Sequence, residues 1–421
     1  MNALVIAWAL VALGSGVSPA SATSQPASMP APEAASGILF TGMSDASDGV
    51  ALDEHRFLAV DDETNELRIY DVGGGAPLST VDLSSFLQLS PRHPEGDFEG
   101  VTRVGDRLYI TGSHGRNQDG KPRPNRCCLF AATLSVSPTN ADVRGAGRPF
   151  RGLLEAMLTA PSLQELKPTL EPSIRLAHGQ DETELAPKMK GLNIEGLCAA
   201  PDGKTLYLGL RNPPWGPEGG QRARAIVLPM LNPEETLLQG RGPQFGTPLL
   251  WDLEGLGIRS MEYSPFHKSY FIIAGPHDDG HRFRLFRWTG EPTAQPTLVS
   301  RLEDRPLRTH PEGVIPFEHS SRLLLICDDG TRPVHVDSPA ECAEGESPSP
   351  DGTCPNKHLR DISKRSFRGF WLDPGQPEPA SRPRQEPPRG VPFGANWPDG
   401  ASSQNLHTVV DGIAFDAFVD H

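Results

Sequence analysis

Asp97-Phe98-Glu99-Gly100-Val101, Asn193-Ile194-Glu195-Gly196-Leu197 and His310-Pro311-Glu312-Gly313-Val314 are three versions of one pattern. Each is followed by a few residues, a polar turn and an apolar, strand-like run. Internal repetition of this kind decides a fold before any single residue does. Working outward, five units align. The first runs Asp48-Gly49-Val50-Ala51, Arg56-Phe57-Leu58-Ala59-Val60, Leu67-Arg68-Ile69-Tyr70. The second and third follow from Glu99 and Glu195, the fourth from Arg259-Ser260-Met261, and the fifth from Glu312. Each reads as strand, tight turn, strand, longer loop, strand, with turn chemistry such as Pro201-Asp202-Gly203 and Val104-Gly105-Asp106.

Three- or four-stranded antiparallel units repeated around an axis make an all-β fold, a β-propeller. Five blades are visible. Asp411-Gly412-Ile413-Ala414-Phe415-Asp416 echoes Asp48-Gly49-Val50-Ala51-Leu52-Asp53 and leaves a sixth open, while Gly37–Thr41 is placed to close the last blade. The blade number is five or six. Residues 145–192, with a short helix near Leu153–Leu158, and 337–366, a polar surface loop, read as insertions.

In a blade, the start of the innermost strand and the loop after the second strand share one face. Here Asp48, Glu99, Glu195, Arg259 and Glu312 occupy the first place. The second holds Asp61-Asp62, Ser113-His114-Gly115-Arg116-Asn117, Arg211-Asn212, His277-Asp278-Asp279 and Asp328-Asp329-Gly330. A closed ring therefore puts four carboxylates and an arginine at the channel mouth. Carboxylates at close range recruit a cation or keep protons, and hard oxygen ligands favour calcium. Asp48, Glu99, Glu195 and Glu312 are the metal-ligand candidates. Arg116, Arg211 and Arg259 suit an anionic substrate, and His114 is the acid–base candidate, with His277 second. A Glu-Gly or Asp-Gly before a strand is equally compatible with a structural turn, although such turns prefer Asp or Asn.

The 421 residues include 43 glycines and 43 prolines, which favours short strands joined by turns over long helices. A net charge of -14 argues against nucleic acid as a partner, since phosphate binding needs a positive stripe. Leu4–Val17 followed by Ala20-Ser21-Ala22 has the form of a signal peptide over residues 1–22. Export to the periplasm or beyond is the expectation, with no membrane insertion after its removal. Residues 23–36 read as a disordered linker, 37–372 as the propeller, and 373–421 as a Pro-rich extension that closes or wraps it. Of six cysteines, Cys342 and Cys354 are the disulfide pair expected in an oxidising compartment. There is no G-x-S-x-G elbow, H-E-x-x-H motif or phosphate-cradling glycine loop.

The chain resembles an uncharacterised bacterial family catalogued as domain of unknown function 3616. Asp48-Gly49-Val50-Ala51-Leu52, the segments around Glu99 and Glu195, Gly112–Asn117, Leu210-Arg211-Asn212-Pro213 and Pro311-Glu312-Gly313-Val314 carry the resemblance, over residues 40–372. That family implies no activity. The Glu-Gly repeats are also similar to exported phytase-like and esterase-like propellers, which implies a calcium-dependent ester or phosphoester hydrolase. The dense acidic clusters and multiple lysines of propeller phytases are absent, which argues against phytate. The sequence thus points to a divalent-metal-assisted hydrolase of an anionic ester or phosphoester at the channel mouth. The alternative is a non-catalytic propeller that binds a protein or glycan.

Overall fold

The computed structural model describes residues 37–375, apart from 138–139, 176–181, 217–222, 279 and 305–309. The signal peptide, the linker, nearly all of the C-terminal extension and the Asp411–Asp416 echo lie outside the described residues.

The first strand is β1 (Ile38–Thr41). Blade I follows as β2 (Ala46–Ala51), β3 (Arg56–Asp61), β4 (Glu66–Asp71) and β5 (Ser79–Asp82). Blade II is β6 (Phe98–Val104), β7 (Arg107–Gly112), β8 (Leu129–Val136) and β9 (Ala141–Phe150). Blade III is β10 (Asn193–Ala199), β11 (Leu206–Asn212), β12 (Ala225–Met230) and β13 (Leu249–Trp251). Blade IV is β14 (Gly257–Ser264), β15 (Ser269–Gly275), β16 (Arg284–Trp288) and β17 (Thr297–Arg301). Blade V begins with β18 (His310–Pro316) and β19 (Leu323–Asp328), detours through a ribbon of β20 (Pro333–His335) and β21 (Thr353–Pro355), and resumes with β22 (Ser366–Leu372). Its fourth strand is β1, in the order β18-β19-β22-β1.

The innermost strands β2, β6, β10, β14 and β18 pack against one another in a closed circle. The protein is therefore a five-bladed β-propeller. Apolar side chains that alternate along the strands fill the gap between each pair of neighbouring blades. Val50, Leu58, Val101 and Ile110 lie between blades I and II, and Leu129, Ile194 and Leu208 between II and III. Cys198, Ile258 and Met261 follow between III and IV, Phe271, Val314 and Leu325 between IV and V, and Phe40, Phe57 and Ile315 between V and I.

The ring is closed by the N-terminal strand, as the position of Gly37–Thr41 suggests. Leu39 pairs with Arg368 and Phe40 with Phe367. Fully buried Phe40 stacks on Phe367 at 4.8 Å and meets Phe57 of blade I edge-on at 5.2 Å. Phe40→Ala removes the side chain that joins the first blade to the last. The expected cost is about 3–5 kcal/mol of stability, checked by urea unfolding.

The insertion before blade III is shorter than the sequence suggests. Residues 145–150 belong to β9. Their Arg-Gly-Ala-Gly-Arg-Pro run lacks strand patterning because its glycines answer to close approach. A Cβ on Gly145 would lie 2.2 Å from the Phe86 ring, and Gly147, at φ +67°, would meet the Leu237 carbonyl at 2.0 Å. The insertion proper holds the helix Leu153–Thr159, a 3-10 stretch Pro161–Leu166 and a second helix Lys167–Ile174. Leu153, Met157, Leu163, Leu166, Leu170 and Ile174 are buried and packed with the core of blades II and III.

The 337–366 segment has a small core of its own, made by Val336, Cys342, Cys354 and Leu359. The side chains of Cys342 and Cys354, the expected pair, lie within hydrogen-bonding reach of one another in this core.

Candidate functional site at the channel mouth

A β-bulge interrupts the pairing of every innermost strand with its neighbour. Pairing skips Glu99 in blade II, Glu195 in III, Arg259 in IV and Glu312 in V. Bulges re-aim a side chain in this way, and they recur next to functional sites. In blade I the skipped residue is Ser47, not Asp48. Asp48 holds the register place of Gly100, Gly196, Ser260 and Gly313.

Asp48 is accordingly a strut. Its Oδ2 accepts from the Val101 amide at 3.0 Å, and its Oδ1 from Ser260 Oγ at 2.9 Å, which ties blade I to blades II and IV. Burial pushes its carboxyl well above the usual aspartate range.

Glu195, Arg259, Glu312 and Arg211 form one network. Arg211 Nη1 donates to Glu195 Oε1 at 2.9 Å, as does Asn193 Nδ2. Arg259 Nη1 bridges Glu195 Oε2 at 3.0 Å and Glu312 Oε1 at 2.6 Å. Burial opposes the charge on Glu195, but Arg259 and Arg211 outweigh it and hold the carboxyl below its ordinary range. Burial pushes Glu312 up to about 8, with Asp328 and Glu195 adding to the effect against Arg259. The ring thus carries its own countercharges. Asp48 stands apart, and both oxygens of Glu195 are taken by side-chain donors, so the four carboxylates do not converge as one ligand set.

Among the described residues no arginine pairs with Glu99. It is half-buried on the wall of a cavity of about 590 Å³ that is also lined by Asp97, Asn193, Arg116, Arg126 and Arg211. Burial first, then the neighbouring Glu195, Asp97 and Glu312, hold its carboxyl well above the usual glutamate range. Asp97 takes an uncommon φ of +54° at the entry to β6. Its Oδ1 pairs with Arg126 Nη1 at 2.7 Å. Burial raises its carboxyl and Arg126 pulls it back, leaving it at about 6. Among the described residues the buried Nε atoms of Arg211 and Arg126 have no hydrogen-bond partner.

Of the remaining sequence candidates, Arg116 lines this cavity while its guanidinium donates to the carbonyls of Gly120 at 3.1 Å and Arg175 at 3.0 Å. His114 does not. It is buried behind the loop, 3% exposed, and burial lowers its pKa to about 3, far from the poise of a neutral-pH acid or base. His277 is a brace, with ring nitrogens on the carbonyls of Arg211 at 2.7 Å and Gly255 at 3.2 Å. Asp61 and Asp329 are spent on Arg68 and Arg368. Asp279 lies outside the described residues.

Sequence reasoning missed Asp97 and Asn193. Their signal was present, since each quoted repeat carries a polar residue two places before its glutamate: Asp97, Asn193 and His310. Asp45, Asp62 and Glu63 were not singled out as a group, yet among the described residues they are the set whose carboxylate oxygens lie within 4.8 Å of one another. Burial and then Asp328 push Asp45 up to about 8; burial and then Asp45 push Asp62 well above its usual range. Lys357, delivered by the blade V insertion, reaches Glu63 at 2.8 Å and faces the same group.

Residues 158–334 match the model of a family described as protein of unknown function (DUF3616). The match takes in blades III and IV and the first two strands of blade V. No curated protein matches the chain. Among solved structures, glutaminyl cyclase from Myxococcus xanthus aligns over 81% of this chain and 97% of its own, at 11% identity and a TM-score of 0.36. The PQQ-bound aldose sugar dehydrogenase of Streptomyces coelicolor aligns over 81% and 100%, at 15% identity and 0.36. Likenesses at this level say nothing of substrate or chemistry.

Proposed function

We propose that the protein hydrolyses a small anionic ester or phosphoester in the channel-mouth cavity, with Asp97 and Glu99 as base and acid. The observation that carries this reading is that two carboxyls on one cavity wall are driven to different protonation states. Glu99 is pushed well above the usual glutamate range, whereas Arg126 holds Asp97 back at about 6. Pairs pushed apart in this way are what acid–base assignments rest on. Glu99 delivers its proton to the leaving oxygen as the ester bond breaks. Asp97 takes a proton from the attacking water. The unpartnered Nε atoms of Arg211 and Arg126, with Arg116 beside them, supply donors and positive charge for an anion.

The test is a panel of aryl phosphates, aryl carboxylate esters and lactones, followed as pH–rate profiles. Turnover should rise through about pH 6 as Asp97 ionises and fall at higher pH as Glu99 does. Asp97→Asn should remove the rising limb and lower the rate by about 10²-fold or more. Binding of an anion without turnover of any ester would sink the hydrolase reading in favour of a binding module.

The proposed proton chemistry runs without a divalent cation, because Arg259 and Arg211 stand where the ring needs positive charge. Added calcium or chelator is therefore expected to leave the thermal midpoint unchanged. A calcium-dependent rise that Asp62→Asn abolishes would instead locate a cation at Asp45, Asp62 and Glu63.

A further inference from the structure

Beside the channel-mouth cavity lies a second one of about 220 Å³, roofed by the insertion that precedes blade III. Leu154, Ile174, Leu192, Pro122 and Pro124 give its wall a mainly apolar surface, with His114 among them and Arg151, Glu155 and Arg175 also lining it. This volume exceeds the roughly 150 Å³ of an apolar cavity that takes up benzene.

Two observations mark it as a site for a ligand rather than a packing gap. The first is His114. The imidazole is almost fully buried, and neither ring nitrogen makes a hydrogen bond of normal geometry, although the Cys128 backbone is near. Buried polar groups are nearly always paired, so one left over in a cavity wall asks for a partner from outside the chain. Its backbone is held in place regardless. The His114 amide donates to the Arg126 carbonyl at 3.2 Å, and the residue sits at φ +56°.

The second is adjacency. Arg116 and Arg123 line both cavities. A molecule whose charged centre lies against the arginines of the larger cavity meets the smaller one across these two side chains. Leu154, Ile174 and Leu192 offer it an apolar surface, and His114 offers a polar contact without a partner beside that surface.

We infer that the His114 cavity is the subsite for the apolar arm of the substrate, an aryl or short acyl group carried by the anionic ester whose head occupies the Glu99 cavity. This rests on the hydrolase reading for the reaction, and on the second cavity alone for the arm. The substrate class is therefore an amphipathic ester rather than a small polar one such as a sugar phosphate. The sequence singled out His114 as an acid–base group; here it is a specificity-determining residue set behind the reacting centre.

The experiment titrates the protein with benzoate and with acetate, which share a carboxylate and differ in the apolar arm, by calorimetry or ligand-observed NMR. Benzoate should bind at least tenfold more tightly. Leu154→Phe should shrink that preference and Leu154→Trp should erase it, because Leu154 is only half-buried and a larger ring there grows into the cavity. Circular dichroism and the thermal midpoint check that both variants fold. Equal binding of the two acids, or a preference that survives Leu154→Trp in a folded protein, overturns the inference. The two readings fail separately. A benzoate preference lost in Leu154→Trp, with no ester turned over, keeps the subsite and removes the hydrolase. Esters turned over with no gain from an aryl or acyl arm keep the hydrolase and remove the subsite.

Discussion

Glu99→Gln is expected to lower turnover by about 10²–10⁴-fold while making the protein more stable above neutral pH. Both effects come from one property. The Glu99 carboxyl is pushed well above its usual range by burial and by the Glu195, Asp97 and Glu312 carboxylates. That upward shift favours the protonated form an acid needs, and glutamine has no proton to deliver. For stability the sign runs the other way. Below the ordinary glutamate pKa, Glu99 is protonated in both the folded and the unfolded chain and favours neither. As pH rises past that value the unfolded chain releases the proton and the folded chain does not, so the unfolded state gains progressively until the folded-state pKa is also passed. Glutamine, neutral throughout, removes this penalty. The variant and the parent should unfold at similar temperatures near pH 4, and the variant should unfold higher at pH 8, by about 2 °C or more. Differential scanning calorimetry at the two pH values decides it. A variant that is less stable at pH 8 would mean that Glu99 is ionised and held by donors in the fold, and its role as an acid would fall with that result.

The contrast between Glu99 and Asp48 shows what the sequence makes legible. Five units could be read because each repeats a hairpin with alternating apolar residues, and Gly37–Thr41 could be placed as a closing strand, with a sixth blade left open. The face that carries the polar residues was legible too. What could not be read was register. Asp48-Gly49 looks like Glu99-Gly100, but the bulge falls one residue earlier in blade I, at Ser47. A one-residue slip moves a side chain to a different surface, and Asp48 became a strut. Burial is the second limit. His114 is the residue type that titrates near neutral pH, and its burial in the fold takes it to about 3. Lys357 is the third. It lies in a polar stretch with no strand pattern, and it reaches Glu63 because Asn356, fully buried, binds the carbonyl of Asp329 at 3.0 Å and the amide of Ser366 at 3.1 Å. Nothing local in 337–366 announces that.

Glu195→Ala is expected to be the most destabilising single change at the channel mouth, at about 3–5 kcal/mol. From the repeat alone Glu195 looks like a ligand whose loss costs activity and spares the fold. The structure gives it a different burden. Glu195 is 3% exposed, and its two oxygens hold Arg211 and Arg259, which are 5% and 6% exposed. Removing it leaves two buried guanidinium groups with one fewer carboxylate between them. Arg259 keeps Glu312, whose carboxyl should ionise more readily once it is the remaining counterion, and Arg211 keeps only the carbonyls of His277 and Asp278 at 3.1 and 3.2 Å. The cost is that of an uncompensated buried charge rather than of a lost attraction, and this distinction can be measured. Arg211→Met in the Glu195→Ala background removes the stranded charge, so the double variant should recover part of the lost stability in denaturant unfolding. If the two losses simply added, the network would not be coupled, and the view that the ring neutralises itself would be wrong. If Glu195→Ala alone left stability unchanged, water would be reaching the arginines, and the mouth of the channel would be wetter than its packing implies.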